Sequence, residues 1–152
     1  MIANGSVGLA RRYSESDLLE TRREVLSLLP ALPQQAEKLA AMVIALVDVK
    51  SLSRREKMEQ LDFLTSIVVT CFHQIVLQLS GQPPSGDPVL IEVSRLIANA
   101  WPGDVETALA CIDRTMETAY HARANANVKT LVEVWVDDLS QMWLAGGFKL
   151  PT

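Results

Sequence analysis

Aromatic side chains are scarce in this chain: they make up 5% of 152 residues, among them three tryptophans. That scarcity argues against a core of stacked rings. The 49% of hydrophobic residues must instead build an interior from Leu, Val, Ile, Ala and Met, a composition suited to helix packing rather than to a β-sandwich. Cysteine is rarer still. Cys71 and Cys111 stand far apart, with no Cys-x-x-Cys pair and no histidine at ligand spacing. This excludes the usual zinc and disulfide frameworks and predicts two buried free thiols in a reducing compartment. No stretch reaches the roughly 18 uninterrupted apolar residues of a membrane span. Nor does the front carry a basic segment followed by an apolar one, as a secretory signal would. The expectation is a cytoplasmic chain with no membrane partner.

Positive charge is not in excess. The net charge is −4, and basic residues are dispersed among acidic ones, so direct DNA contact is not expected of this segment. Arg22-Arg23 and Arg54-Arg55-Lys57 are local exceptions that read as solvated helix faces.

Catalytic equipment is missing as well. An enzyme of this size needs a nucleophile with a base, a metal cluster or a phosphate-binding loop. The stretch from Gly81 to Gly86 has the glycine spacing of a phosphate loop, but Asp87-Pro88 stands where that motif requires Lys followed by Ser or Thr. His73 and His121 lack a neighbouring ligand or base and read as core or boundary residues. Asp137 and Asp138 are adjacent, point to different helix faces and read as part of a solvated face. No catalytic residue, cofactor or metal is therefore expected.

What is present is helical periodicity. A short helix is expected from Ser6 to Arg12. Ser14-Glu15-Ser16-Asp17 then offers caps for a helix carrying Leu18, Leu19, Val25, Leu26 and Leu29, stopped by Pro30 and Pro33. A second starts at Pro33 and carries Ala36, Leu39, Ala40, Val43 and Val47 to about Lys50. Ser53-Arg54-Arg55-Glu56 is a capping box opening a long central helix to about Leu79. Asp87-Pro88 opens the next, which ends at Trp101-Pro102. Asp104 caps a fifth, with Val105, Ala108, Leu109, Ile112, Met116 and Ala119 as its apolar face. Asn127 caps the last, with Val128, Leu131, Val132, Trp135, Leu139 and Met142 as its stripe. Strand alternation is absent throughout. The sequence predicts an all-α bundle of about six helices, with 146–152 a flexible tail. Among Trp101, Trp135 and Trp143, Trp143 is the candidate for a subunit interface, because it lies beside a Gly-rich end and off the main stripe.

Three stretches resemble the C-terminal collar region of bacterial DNA polymerase III clamp-loader subunits, together spanning Ile2 to about Met142. Ile2-Ala3-Asn4-Gly5-Ser6-Val7-Gly8-Leu9-Ala10 is similar to the Gly-Ser-x-x-x-Ala helix that closes an AAA+ lid. Arg54 to Leu77 resembles the family's long collar helix. Asn125-Ala126-Asn127 with Leu131-Val132-Glu133 resembles its Arg-Asn-x-Asn-Pro-x-Leu-x-Leu-Glu junction. Here Ala124 and Val128 replace the usual Arg and Pro. Gly-Ser-Val-Gly at the front is closer to the delta-prime branch than to the Gly-Ser-x-Arg-Asp of the ATPase subunits, gamma and tau.

The resemblance implies that 1–14 is a remnant of the lid helix and 15–145 a helical collar domain for oligomerisation. A nucleotide-binding fold would then lie upstream. It further implies that Asn125 and Asn127 form a structural junction, that the partners are the gamma/tau and delta subunits, and that catalysis and DNA contact reside elsewhere in the complex. Leu9 stands where a sensor arginine is expected, so no nucleotide contact is carried over. A free-standing helical module that senses an apolar ligand is the alternative reading, and a small enzyme a distant third.

Overall fold

The computed structural model describes residues 15–124 and 127–145. These form α1 (Glu15–Leu28), a 3-10 turn (Leu29–Ala31), α2 (Leu32–Val47), α3 (Arg54–Leu79), α4 (Pro88–Ala100), α5 (Val105–Ala124) and α6 (Val128–Ala145). No strand occurs among the described residues, and the fold is all-α. The short helix expected over Ser6–Arg12, the assignment of 1–14 to a lid helix and the tail at 146–152 fall outside them.

One expectation about helix count is corrected. Pro30 and Pro33 do not release the chain from helical structure. Pro30 lies in the 3-10 turn, and Pro33 sits in the first turn of α2, where its missing N–H forfeits no bond. Leu29 and Leu32, both fully buried, fasten the bend to the core. The stretch from α1 to α2 is thus one bent helical segment, and the described residues form a bundle of five segments rather than six.

The other boundaries follow from side-chain chemistry. The Ser53 hydroxyl accepts from the Glu56 N–H at 3.1 Å while the Glu56 carboxylate accepts from the Ser53 N–H at 3.0 Å, completing the capping box of α3. At its other end the Gln82 N–H reaches the Leu77 carbonyl and the Gly81 N–H that of Gln78. This closure requires a left-handed residue, and Gly81 supplies it with φ of 86°. Asp87 caps α4 through the Leu90 N–H, with Pro88 in the first turn. Asp104 caps α5 through the Thr107 N–H.

At 26 residues, α3 is roughly 40 Å long. It runs through the centre, packed against α1, α2, α4 and, most extensively, α5. By length and composition alone it could cross a membrane. Its apolar residues Leu61, Leu64, Val68, Phe72 and Ile75 are instead buried within the bundle. α6 closes the structure by packing on α2 and α5.

Candidate functional site

The helix that carries the site is α5, and its two faces differ in side-chain size. Ala108, Cys111, Thr115, Thr118 and Ala122 recur at three- and four-residue spacing and are buried. Such short side chains allow the backbone to lie close against α3 and α6. Their hydroxyls are satisfied locally: Thr115 donates to the Cys111 carbonyl at 2.8 Å and Thr118 to that of Arg114 at 3.3 Å. Thr115 Oγ1 also accepts the indole N–H of the fully buried Trp135 at 3.1 Å.

With that face taken, three large apolar residues of α5 are turned outward, while Ile112 packs half-buried against the core. Leu109, Met116 and Tyr120 are 44%, 57% and 72% exposed. This corrects the expected apolar face: of Val105, Ala108, Leu109, Ile112, Met116 and Ala119, only Ala108 is fully buried. The sequence contained the signal in the Ala-Cys-Thr-Thr-Ala stripe. Hydropathy alone ranks Leu and Met above Ala and Thr, and so pointed to the wrong side.

Beside the outward row runs an open groove of about 580 Å³ between α3 and α5, lined by Thr65, Ser66 and Val69 on one wall and Met116, Ala119 and Tyr120 on the other. The ion pair of Asp62 with Arg123 lies at this groove too. A second open cleft, about 600 Å³, lies between α1, α3 and α4, with Leu19, Arg22, Phe63, Ile67 and Pro88 in its walls. Ser66 and Thr70 belong to both, so α3 separates two depressions on one side of the bundle.

The junction after α5 is held by charge and capping. Arg54 Nη2 donates to the carbonyls of Ala122 at 3.3 Å and Arg123 at 2.7 Å. A guanidinium there meets the negative end of the helix dipole. Asn127 accepts the Thr130 N–H on its side-chain oxygen at 3.1 Å and the Leu131 N–H on its carbonyl at 3.2 Å, capping α6 as its position predicts. Asn125 lies outside the described residues.

The remaining residues singled out by sequence are placed as follows. Trp143 is only 8% exposed, its ring edge-on to Trp101 with centroids 5.1 Å apart, and Trp101 in turn meets Phe72 edge-on at 5.7 Å. Its indole is thus engaged within the chain, while α5 turns out three large apolar residues and Leu19, Leu96, Val134 and Leu144 are exposed singly elsewhere. His73 and His121 are both exposed, not core residues, because each falls on the side of its helix away from the bundle. Asp138 is not simply solvated: it accepts from Arg114 Nε at 2.8 Å and ties α6 to α5. Arg22 pairs with Asp87, Lys57 with Asp48 and Arg55 with Glu59, so the basic clusters are partly spent inside the chain.

Two thiols and two carboxylates depart from their ordinary acidities. Burial pushes both Cys71 and Cys111 up to about 12. Partial burial works against the Asp87 charge, but the Leu90 N–H and the Arg22 guanidinium outweigh it and hold the carboxyl below its usual range. The Thr107 N–H and hydroxyl do the same for Asp104. No group of three or more His, Cys, Asp or Glu among the described residues is arranged to hold a metal ion. No family model matches the chain, and no curated protein or solved structure matches it.

Proposed function

We propose that this chain is a non-catalytic assembly domain of the bacterial DNA polymerase III clamp loader, of the delta-prime kind. It would hold the gamma/tau and delta subunits together in the pentameric collar while the sliding clamp is placed on DNA during replication. The observation that carries this reading is the row of large apolar side chains left outside an otherwise well-filled helical bundle. Exposed apolar rows beside a groove are what a helix-packing interface needs. The resemblance of the long α3 and of the junction at Asn127 to the family's collar region gives the reading its particular complex. The same features would serve a gamma or tau subunit, the nearest alternative.

The ligand-sensing alternative requires an enclosed apolar pocket. Both depressions beside α3 open to solvent rather than forming enclosed cavities, which favours a protein partner over a small molecule.

Size-exclusion chromatography with light scattering tests the proposal, on the chain alone and mixed with the C-terminal segments of gamma/tau and delta from the same source. A stable mixed complex is expected. A monomer that ignores those segments at micromolar concentration overturns the collar assignment.

A further inference from the structure

The outward side of α5 carries two parallel rows. Leu109, Met116 and Tyr120 form the apolar one, and Glu106, Asp113 and Glu117 precede them by three residues each, repeating the same spacing. Residues three apart on a helix are neighbours, so each apolar side chain has an acid beside it on the adjacent strip of surface. All six are exposed, while Val105 and Ile112, which adjoin the rows, are half-buried. Glu106, Asp113 and Glu117 form no ion pair among the described residues. The two arginines of α5 give them no relief, because Arg114 is held by Asp138 and Arg123 by Asp62.

We infer that this face binds a basic amphipathic helix of a partner protein, its apolar stripe lying over Leu109, Met116 and Tyr120 and its lysines or arginines meeting Glu106, Asp113 and Glu117. The groove of about 580 Å³ between α3 and α5 gives the apolar stripe a place to seat, since Met116, Ala119 and Tyr120 form one of its walls. Helix-in-groove recognition uses such a row of apolar anchors, and the charges beside it select the partner. A second copy docking by this face across a twofold axis is disfavoured, because it would set the acidic row against itself. The inference rests on reading the chain as an assembly module, but not on which complex it joins.

Two synthetic helical peptides with the same leucine stripe test it, one flanked by lysines and one by glutamates, titrated against the full chain by fluorescence anisotropy. The lysine peptide is expected to bind at least tenfold more tightly and to weaken as salt rises. M116S/Y120S should weaken it at least tenfold without changing the thermal melt, and E106K/D113K/E117K should reverse the preference between peptides. Equal binding of both peptides, binding indifferent to these variants, or no binding at all overturns the inference. Dimerisation of the chain abolished by M116S/Y120S assigns the face to a second copy and likewise overturns it. If the lysine peptide binds as described while gamma/tau and delta segments do not, the collar assignment fails alone. If those segments bind and the peptide pattern is absent, the inference fails alone.

Discussion

The indole N–H of Trp135 donates to the hydroxyl oxygen of Thr115 at 3.1 Å, with both residues at 0% exposure. The Thr115 hydroxyl in turn donates a hydrogen bond to the Cys111 carbonyl, so a chain of donors locks α6 to α5. Replacing Thr115 by the isosteric Val keeps the packing but leaves a buried N–H without an acceptor. A loss of about 1–3 kcal/mol is expected, read by urea denaturation with Trp fluorescence. Thr115→Ser, which retains the acceptor and removes only a methyl group, should lose less; no loss in Thr115→Val would show that the hydrogen bond does not hold the two helices.

Small side chains set the approach of α5 to its neighbours, so enlarging one should hurt. Ala122→Leu inserts three heavy atoms into a fully buried position and is expected to cost about 1–3 kcal/mol. Met116→Ser, on the outward face, should stay within about 0.5 kcal/mol of the parent chain. Thermal melts of both variants decide which face of α5 is the packed one.

Arg54 spans from the start of α3 to the last carbonyls of α5. Arg54→Met preserves the aliphatic stem and removes the hydrogen bonds to Ala122 and Arg123, for an expected loss of about 1 kcal/mol. Amide exchange should accelerate in the last turn of α5 ahead of the rest of the helix. Uniform acceleration across the chain would contradict a local role.

Gly86 stands just before the α4 cap with φ of 113°, and a Cβ there would come within 2.8 Å of Leu90 Cδ2. Gly86→Ala therefore combines backbone strain with a clash, and a loss of about 1–2 kcal/mol or more is expected. Gly81→Ala meets no neighbouring atom within 4 Å and carries the backbone strain only. The denaturation midpoint should fall further for the first substitution than for the second.

Cys71 and Cys111 titrate at about 12 in the folded chain against 9.0 for a free thiol. The folded state therefore keeps protons that the unfolded state releases between those values. The thiols' contribution to stability is fully present below pH 9 and lost as pH rises toward 12. The double variant C71A/C111A should show a shallower decline in melting temperature over that window. At pH 8, a thiol reagent should label neither residue in the folded chain and both after unfolding.

The helical class and the capped starts of α3, α4, α5 and α6 were legible in the sequence alone. Capping residues act within one turn of their own helix, so Ser53 with Glu56, Asp87 with Pro88, Asp104 and Asn127 could be placed without knowing what surrounds them. The central burial of α3 was legible too, because its apolar residues occupy more of its circumference than one contact can cover. Tertiary structure decided what lies beyond a helix's own backbone. Whether Pro30 ends a helix or bends it depends on Leu29 and Leu32 finding a core to enter. Which face of α5 is buried depends on how closely α3 and α6 approach, and close approach selects Ala, Cys and Thr over Leu and Met. Hydropathy measures the gain of leaving water, whereas packing also requires that the side chain fit, and on α5 fit prevailed.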